Sequence, residues 1–367
     1  MNPSEARFIA VVMGGVCGER GVSIQTGACV TLNLIEAGHK VLPVCIHADG
    51  KWEIGEDPAV GDNWESWFAG KGQSPLTALG RVIELGVDCV FNGLHGPGGE
   101  DGIVQGFLRQ AGLPFTGPDV TPAAVTMDKA LTKTTLQDAG IRTPRGFKFP
   151  TLAEISSGDG LQQWVHNKAG SVPFPWILKP NCLGSSVGIE LFPSPEDLLE
   201  RASEVSRNWH PVPGISGSGF LVEEQLSGRE LTCGVLEVGE SPIQAFSPIE
   251  ICPVSSEFFD YHAKYTKGAT EEICPAELDP SLTRKVQETA IRVHEIFECA
   301  PLSRTDMFLH LDGELTVLEI NTLPGMTATS LIPQSAIEAG MKLPELFNLL
   351  IQHAIERESL REAIETL

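Results

Sequence analysis

LSRTDMFLHLDGELTVLEINTLPGM, residues 302–326, is the most informative stretch of the sequence. Its two apolar runs predict neighbouring strands, Leu302 to Leu311 and Leu315 to Ile320, that are joined by a short turn. The segment Thr322 to Met326 follows the second strand directly and has the composition of an active-site turn. The stretch therefore predicts a strand pair that ends in a functional loop.

Four polar side chains interrupt these apolar strands. Because side chains alternate between the two faces of a strand, Arg304 and Asp306 share one face, and so do Glu319 and Asn321. Two carboxylates and an amide oxygen are ligands suited to magnesium that bridges nucleotide phosphates. The alternative is a solvent-facing strand surface with an ordinary Arg–Asp pair.

Three other segments carry candidate chemistry. Lys179 ends a predicted strand before a Gly-Ser hairpin, residues 184–188, whose N–H and hydroxyl groups can cradle phosphates; the alternative is a plain β-hairpin. His95 lies in a glycine-rich strand-to-helix turn, residues 95–102, where open α/β sheets bind ligands. Glu19 stands beside Arg20 in a second glycine turn, where a solvated ion pair is the competing interpretation.

The first part of the chain predicts an open α/β sheet. The strand Phe8 to Met13 leads into a helix from about Ser23, which is expected to cap it, and Gly38 is expected to close it. Further strands are predicted at 41–46 and 87–94, and Asp101 is expected to cap the helix that ends at Gly112. Residues 47–80 are predicted to be a partly helical insertion.

The rest of the chain predicts a mixed α+β organisation. One helix is expected from about Pro122 to Gly140, and one continuous strand from Ile243 to Cys252. We expect three domains, an N-terminal α/β domain of residues 1–121, a central domain of residues 122–228 and a C-terminal domain of residues 229–367.

Composition narrows the function classes. The 367 residues carry a formal net charge of −22, which disfavours nucleic acid and anionic membrane surfaces as partners. The nine cysteines show no CxxC pair and no zinc spacing, so we expect reduced thiols in a cytoplasmic protein. The apolar run near the N-terminus is too short for a signal sequence or a membrane span, and no later run is long enough to span a membrane.

Taken in order, these segments resemble the D-alanine:D-alanine ligase family over nearly the whole chain. The resemblance rests on HGPGGEDGIVQG (95–106), MDK (127–129), KPNCLGSSVG (179–188), EEQLSGREL (223–231), FFDYHAKY (258–265), RTD (304–306) and EINTLPGMTATSL (319–331). It implies an ATP-grasp fold preceded by an open α/β domain. The sequence departs from the family pattern at Cys17, Gly18, Gly21 and Glu224.

The resemblance also implies the cofactors and the residues that bind them. Nucleotide-binding residues would be Lys129, Lys179, Gly184, Ser185, Ser186, Glu223, Leu226, Glu230 and Lys264. Asp306, Glu319 and Asn321 would hold two magnesium ions, with manganese as a substitute.

The substrates follow from the same resemblance. The carboxylate of one D-alanine would attack the γ-phosphate of ATP, and the amine of a second D-alanine would displace phosphate. Glu19, Ser186, Tyr265, Arg304 and Gly325 would be catalytic, and His95, Ser330 and Leu331 would bind substrate. A homodimer is also implied.

Two alternatives remain at this point. One is a ligase that joins D-alanine to D-lactate or D-serine, although Tyr261, Lys264 and Tyr265 argue against the lactate form. The other is a nucleotide-binding regulator that has kept the fold and lost the reaction.

Overall fold

The computed structural model describes residues 6–56, 58–59, 63–149, 160–184, 188–208, 219–239, 241–253 and 270–365. Among them no helix combines the length and the apolar composition needed to cross a membrane. The described elements form three sheets, each with helices packed against it, and the mixed α/β class expected from the sequence is confirmed.

The N-terminal sheet has the strand order β3-β2-β1-β4. Its strands are β1 (Phe8–Gly14), β2 (Lys40–Ile46), β3 (Trp52–Ile54) and β4 (Cys89–Asn92). Strand β1 is parallel to β2 and β4, and the short β3 is antiparallel to β2. The helices of this part are α1 (Arg20–Glu36), a 3-10 turn (Trp64–Trp67), α2 (Pro75–Glu84) and α3 (Ile103–Gln110). The 47–80 segment is thus partly helical as predicted, and it adds a strand.

Helix α1 begins three residues before the predicted cap. Ser23 lies buried in the first turn, where its Oγ accepts from Gly14 N at 2.9 Å and donates to Gly93 O at 2.8 Å. The capping prediction was wrong because this hydroxyl joins two loops instead. Gly38 follows the helix with φ +90°, as expected of a glycine closing a helix. Asp101 accepts from Ile103 N at the start of α3, although Gly102 is the residue at the cap.

The single helix predicted from Pro122 to Gly140 is two helices, α4 (Val120–Met127) and α5 (Lys129–Asp138). Asp128 separates them with ψ near 100°, and its side chain accepts from Leu131 N at 2.9 Å. Aspartate at an N-cap stabilises a new helix start, so Asp128 ends one helix and begins the next.

The central sheet is antiparallel and has the order β5-β8-β6-β7. Its strands are β5 (Gly146–Lys148), β6 (Trp176–Pro180), β7 (Glu190–Phe192) and β8 (Phe220–Glu224), with helices α6 (Gly160–Ala169) and α7 (Pro195–Asn208). A separate apolar core around Trp176 and Phe192 holds these elements together.

The C-terminal sheet has the order β12-β11-β9-β13-β14, with β10 paired to β9. Its strands are β9 (Arg229–Leu236), β10 (Gln244–Ala245), β11 (Ile249–Pro253), β12 (Thr270–Ile273), β13 (Leu302–Leu309) and β14 (Leu315–Asn321). The helices are α8 (Pro280–Ile296), α9 (Leu331–Glu338) and α10 (Leu343–Glu365). The continuous strand predicted at 243–252 is divided before Pro248, which has no N–H to donate to a ladder.

Two of the apolar cores combine residues from distant parts of the chain. One core joins β1 and α1 of the N-terminal sheet to α9 and α10, with Phe91 and Phe347 in edge-to-face contact at 5.6 Å. Another joins Leu136 of α5 to the C-terminal sheet and α8. The central sheet therefore has its own core, whereas the first and last parts of the chain share one.

Candidate active site

A pocket of about 680 Å³ lies where the N-terminal turns meet the C-terminal strands. Most of the described site residues predicted from the sequence line it. They are Glu19, His95, Lys129, Gly184, Glu230, Arg304, Asp306, Glu319, Asn321, Gly325, Ser330 and Leu331. Ser185, Ser186, Lys264 and Tyr265 lie outside the described residues.

Strands β13 and β14 bring the four polar side chains together as predicted. Arg304 pairs across the sheet with Asn321, and Asp306 pairs with Glu319. The Arg304 guanidinium donates twice to the Asp306 carboxylate, at 2.9 and 3.0 Å, and Thr232 Oγ1 donates to Asp306 Oδ1 at 2.5 Å. The Arg–Asp pair considered as an alternative is present, but it forms a pocket wall and not a solvent-facing surface.

Electrostatics holds Arg304 charged. Burial alone would lower its pKa, but the adjacent Asp306 carboxylate outweighs burial and raises the pKa above the ordinary arginine range. A buried guanidinium with a fixed geometry is a ready donor for an oxyanion that forms in the pocket.

Lys129 links this cluster to the loop after β6. Its Nζ lies 3.3 Å from Glu319 Oε2 and donates to Leu183 O at 2.8 Å. Burial lowers the pKa of Lys129, but the Glu319 charge more than offsets this effect and the net shift is upward. Lys129 owes its position to Asp128, because the new helix starts at the lysine.

The cluster contains two carboxylates, Asp306 and Glu319, and the side-chain amide of Asn321. No group of three His, Cys, Asp or Glu side chains that could hold a metal occurs among the residues that the structure describes. The donor chemistry nevertheless fits a hard divalent cation, because Asp306 and Glu319 face each other across the strand pair and both line the pocket.

Glu19 is enclosed by two glycines. A Cβ at Gly96 would lie 2.3 Å from Glu19 Oε2, and one at Gly184 would lie 2.9 Å from Oε1. Arg20 turns away from Glu19 and donates to Ile46 O, so the solvated ion pair considered for these neighbours is not formed. The glycines in both turns give the carboxylate room at the pocket wall.

His95 is held at both ring nitrogens. Nε2 lies 2.9 Å from Thr26 Oγ1 and Nδ1 lies 3.3 Å from Glu100 Oε1. Thr26 Oγ1 also accepts from Met326 N at 3.4 Å, which leaves its own proton to donate to Nε2. The network thus favours the tautomer that carries its proton on Nδ1, facing Glu100.

Thr26 and Glu100 were not predicted as site residues. Glu100 stands in the glycine-rich motif that contains His95, and this position was a usable signal. Thr26 lies in mid-helix, where the sequence shows no feature that distinguishes it from an ordinary core threonine.

One end of the pocket is formed by the turn before α9. Ser330 stands at the N-cap position of α9 but makes no side-chain cap bond to the helix, and its Oγ instead accepts from Thr327 N at 3.1 Å. A Cβ at Gly325 would lie 2.9 Å from Ser330 Oγ, so only glycine brings that backbone so close. Leu331 is the first helical residue, and the first N–H groups of a helix have no partner within it.

Lys179 and Glu223 do not line the pocket, and neither does Leu226. Glu223 is 2% exposed and lies between two lysines, with Lys179 Nζ at 2.5 Å and Lys133 Nζ at 2.6 Å. Burial raises the pKa of Glu223, but the lysines outweigh burial and the net shift is downward. Burial lowers the pKa of Lys133 to about 8 despite the pairing. The sequence reasoning missed Lys133, which stands one helical turn after Lys129.

Glu224 is the last residue of the inner strand β8, and its side chain is engaged by Arg145. Arg145 donates to both of its oxygens, through N at 2.9 Å and through the guanidinium at 2.9 and 2.6 Å. This departure from the family pattern therefore has a structural partner of its own.

Comparison with known proteins adds two family models. The model described as D-ala D-ala ligase N-terminus matches residues 8–118, and the model described as D-ala D-ala ligase C-terminus matches residues 136–352. Together they extend over most of the chain.

Individual relatives agree along nearly their full lengths. The D-alanine–D-alanine ligase of Leptospira interrogans is 36% identical over 359 residues, covering 95% of this chain and 98% of the relative. The D-alanine–D-alanine ligase of Bacillus anthracis, solved in complex with ATP, superposes with a TM-score of 0.72 at 28% identity, covering 97% and 99% of the two chains. VanG D-Ala:D-Ser ligase from Enterococcus faecalis superposes with a TM-score of 0.77 at 29% identity, covering 95% and 100%.

Proposed function

This chain belongs to the D-alanine–D-alanine ligase family, and we propose that it uses ATP to join two D-alanine molecules into D-alanyl-D-alanine for peptidoglycan synthesis. The observation that carries the proposal is a pocket lined both by Glu19 and His95 and by Arg304, Asp306, Glu319 and Asn321 of the two strands. A ligation needs this combination, because a cationic amino group and a transferring phosphoryl group must be held in one place.

The first half-reaction forms an acyl phosphate. The carboxylate of the first D-alanine attacks the γ-phosphorus of ATP, and the bond to the β,γ-bridging oxygen breaks to release ADP. Glu19 would hold the ammonium of this substrate, and His95 would lie near its carboxylate. Thr26 and Glu100 would set the ring orientation of His95.

The second half-reaction transfers the acyl group. The amine of the second D-alanine, having lost its proton, attacks the acyl carbon, and phosphate leaves from a tetrahedral intermediate. Arg304 and Gly325 N–H would stabilise the oxyanion, a role worth roughly 2.7–4 kcal/mol for one donor in other acyl-transfer enzymes. Ser330 and the Leu331 N–H would bind the carboxylate of the acceptor. Ser186 and Tyr265, with Glu19, would complete a hydrogen-bonded set.

Nucleotide binding is proposed for residues on both sides of the pocket. Lys129, Gly184 and Glu230 line the pocket, which supports their part in it. The remaining proposed contacts, by resemblance to the family, are Lys179, Ser185, Ser186, Glu223, Leu226 and Lys264.

Asp306, Glu319 and Asn321 are proposed to hold two magnesium ions, for which manganese could substitute. Such ions would neutralise charge on the nucleotide phosphates. In the structure each carboxylate already has a protein cation beside it, Arg304 for Asp306 and Lys129 for Glu319.

We further propose the three domains 1–121, 122–228 and 229–367, a cytoplasmic location and a homodimer. Free cysteines support the location, because all nine are unpaired with one another and several are buried.

Phosphate release tests the function. The protein would be supplied with Mg-ATP and D-alanine, L-alanine, D-alanine with D-serine, or D-alanine with D-lactate. Release that depends on D-alanine alone, with D-alanyl-D-alanine as the product, is the expected result. Release that requires D-serine or D-lactate would show that this compound, and not a second D-alanine, is the acceptor. No release with any of these substrates would leave a nucleotide-binding regulator as the remaining interpretation.

A competition between D-alanine and D-lactate across pH separates the acceptors further. An amine must lose a proton before it attacks, whereas a hydroxyl acceptor carries no such charge. The dipeptide should therefore gain on the depsipeptide as the pH rises.

A further inference from the structure

A buried set of two lysines and one glutamate lies behind the pocket and has no role in the proposed reaction as a set. Glu223 on β8 contacts Lys179 Nζ at 2.5 Å through Oε2 and Lys133 Nζ at 2.6 Å through Oε1. The side chains are 10%, 6% and 3% exposed for Lys179, Lys133 and Glu223. Each oxygen of one carboxylate thus has a lysine ammonium at ion-pair distance.

Lys133 reaches a third element. Its Nζ also donates to Leu318 O at 2.7 Å, on strand β14 immediately before Glu319. This single ammonium therefore connects α5, the central sheet and the strand that carries the candidate metal ligand. Lys179 lies near the end of β6 and its partner Glu223 lies on β8, so this ion pair stays within the central sheet.

If the proposed function is correct, Lys133 and Lys179 must have different roles. A lysine that binds nucleotide phosphates must direct its ammonium toward them, and in the structure Lys179 is directed to Glu223. When Lys179 moves, one oxygen of a buried carboxylate loses its partner, and an unpaired buried charge is strongly unfavourable. Lys133 is the cation that stays.

We propose that Lys133 is a positioning residue for the nucleotide site, which holds the Glu223 carboxylate in place while Lys179 transfers from Glu223 to the nucleotide phosphates. The inference rests on the proposed function for the roles of Lys179 and Glu223. The set carries one net positive charge, which also favours the approach of phosphates.

The test compares Lys133→Met, which removes the ammonium, with Lys133→Arg, which keeps a cation. Lys51→Met is the matched control, because Lys51 is 59% exposed and pairs only with Asp49 among the ion pairs of the described residues. ADP affinity is measured by calorimetry in the presence of magnesium, and KM is measured separately for ATP and D-alanine.

Lys133→Met should weaken ADP binding by roughly 10- to 100-fold and raise the KM for ATP by a similar factor. The KM for D-alanine should stay within about twofold of the wild type, since no D-alanine contact is removed, and Lys133→Arg should recover part of the loss. A purely structural lysine would change stability without this split between the two substrates.

Equal KM values for ATP in Lys133→Met and Lys51→Met would overturn the proposal, as would equal losses for both substrates. If Lys133→Met does not fold, Lys133→Gln keeps an N–H donor and carries the same comparison. ADP binding separates this inference from the proposed function, because it is measured without ligation: a wild-type protein that binds ADP and makes no dipeptide refutes the function and still tests Lys133.

Discussion

Thr26→Val is the substitution that best tests the His95 network. It keeps the shape of the side chain and removes the hydroxyl that lies 2.9 Å from His95 Nε2 and 3.4 Å from Met326 N. Thr26 is 1% exposed, so water does not readily replace the lost contact. His95 should lose the partner that fixes its tautomer and ring orientation.

The magnitude follows chiefly from the contact with His95 Nε2, which at 2.9 Å is the shorter of the two that the hydroxyl makes. Leaving a buried polar group unsatisfied costs about 1–3 kcal/mol, so the free energy of unfolding should fall by that amount. A His95 ring that is no longer held should also bind the first D-alanine more weakly. Affinity falls roughly tenfold for each 1.4 kcal/mol of binding free energy lost.

Urea denaturation and steady-state kinetics, which resolve the KM for the first D-alanine, measure the two effects. Thr26→Ser is the control, because it keeps the hydroxyl and should stay close to the wild type in KM. A Thr26→Val protein that matches the wild type in both stability and KM would refute the reasoning and would leave His95 oriented by Glu100 alone.

Three further predictions follow from the same structure. Glu319→Ala should abolish phosphate release while leaving the far-ultraviolet circular dichroism unchanged, and near-normal turnover would rule out the metal assignment. Gly184→Ala would place a Cβ 2.9 Å from Glu19 Oε1 and should raise the KM for D-alanine, whereas Gly170→Ala meets nothing within 4 Å and should not; equal KM values would contradict the proposed position of Glu19. Burial, aided by the charge of Arg357, lowers the pKa of His353 to about 4, from 6.5 for an ordinary histidine. The unfolded chain therefore binds this proton first, so stability should fall as the pH drops from about 6.5 to about 4. His353→Gln should make that fall shallower in urea denaturation at pH 7 and pH 5, and an unchanged slope would assign it to other groups.

Local patterns predicted the strand pair well. The alternation along β13 and β14 placed Arg304 with Asp306 and Glu319 with Asn321, because a period of two leaves only two faces to choose between. The resemblance to the family then supplied candidate roles that alternation alone does not give.

Other features depend on contacts between distant parts of the chain. Ser23 was expected to cap a helix, and it instead joins two loops, one of them 70 residues away along the chain. Thr26 became a site residue only because the turn containing Met326 lies against it. Asp128 differs from these cases because its signal is local: an aspartate directly before Lys129 indicates a helix start. The prediction of one continuous helix missed it because the apolar pattern continues on both sides.

The core shared by the first and last parts of the chain has a consequence for synthesis on the ribosome. The sheet around β1 emerges long before α10, but one of its faces packs on Phe347 and its neighbours in α10. Arg357 of the same helix donates to Phe115 O and Gly117 O, at 2.7 and 2.8 Å, so polar contacts at this junction also wait for α10 to be synthesised. The nascent N-terminal sheet must therefore carry an uncovered apolar face until α10 has been released, which makes it a natural client for a chaperone that binds growing chains.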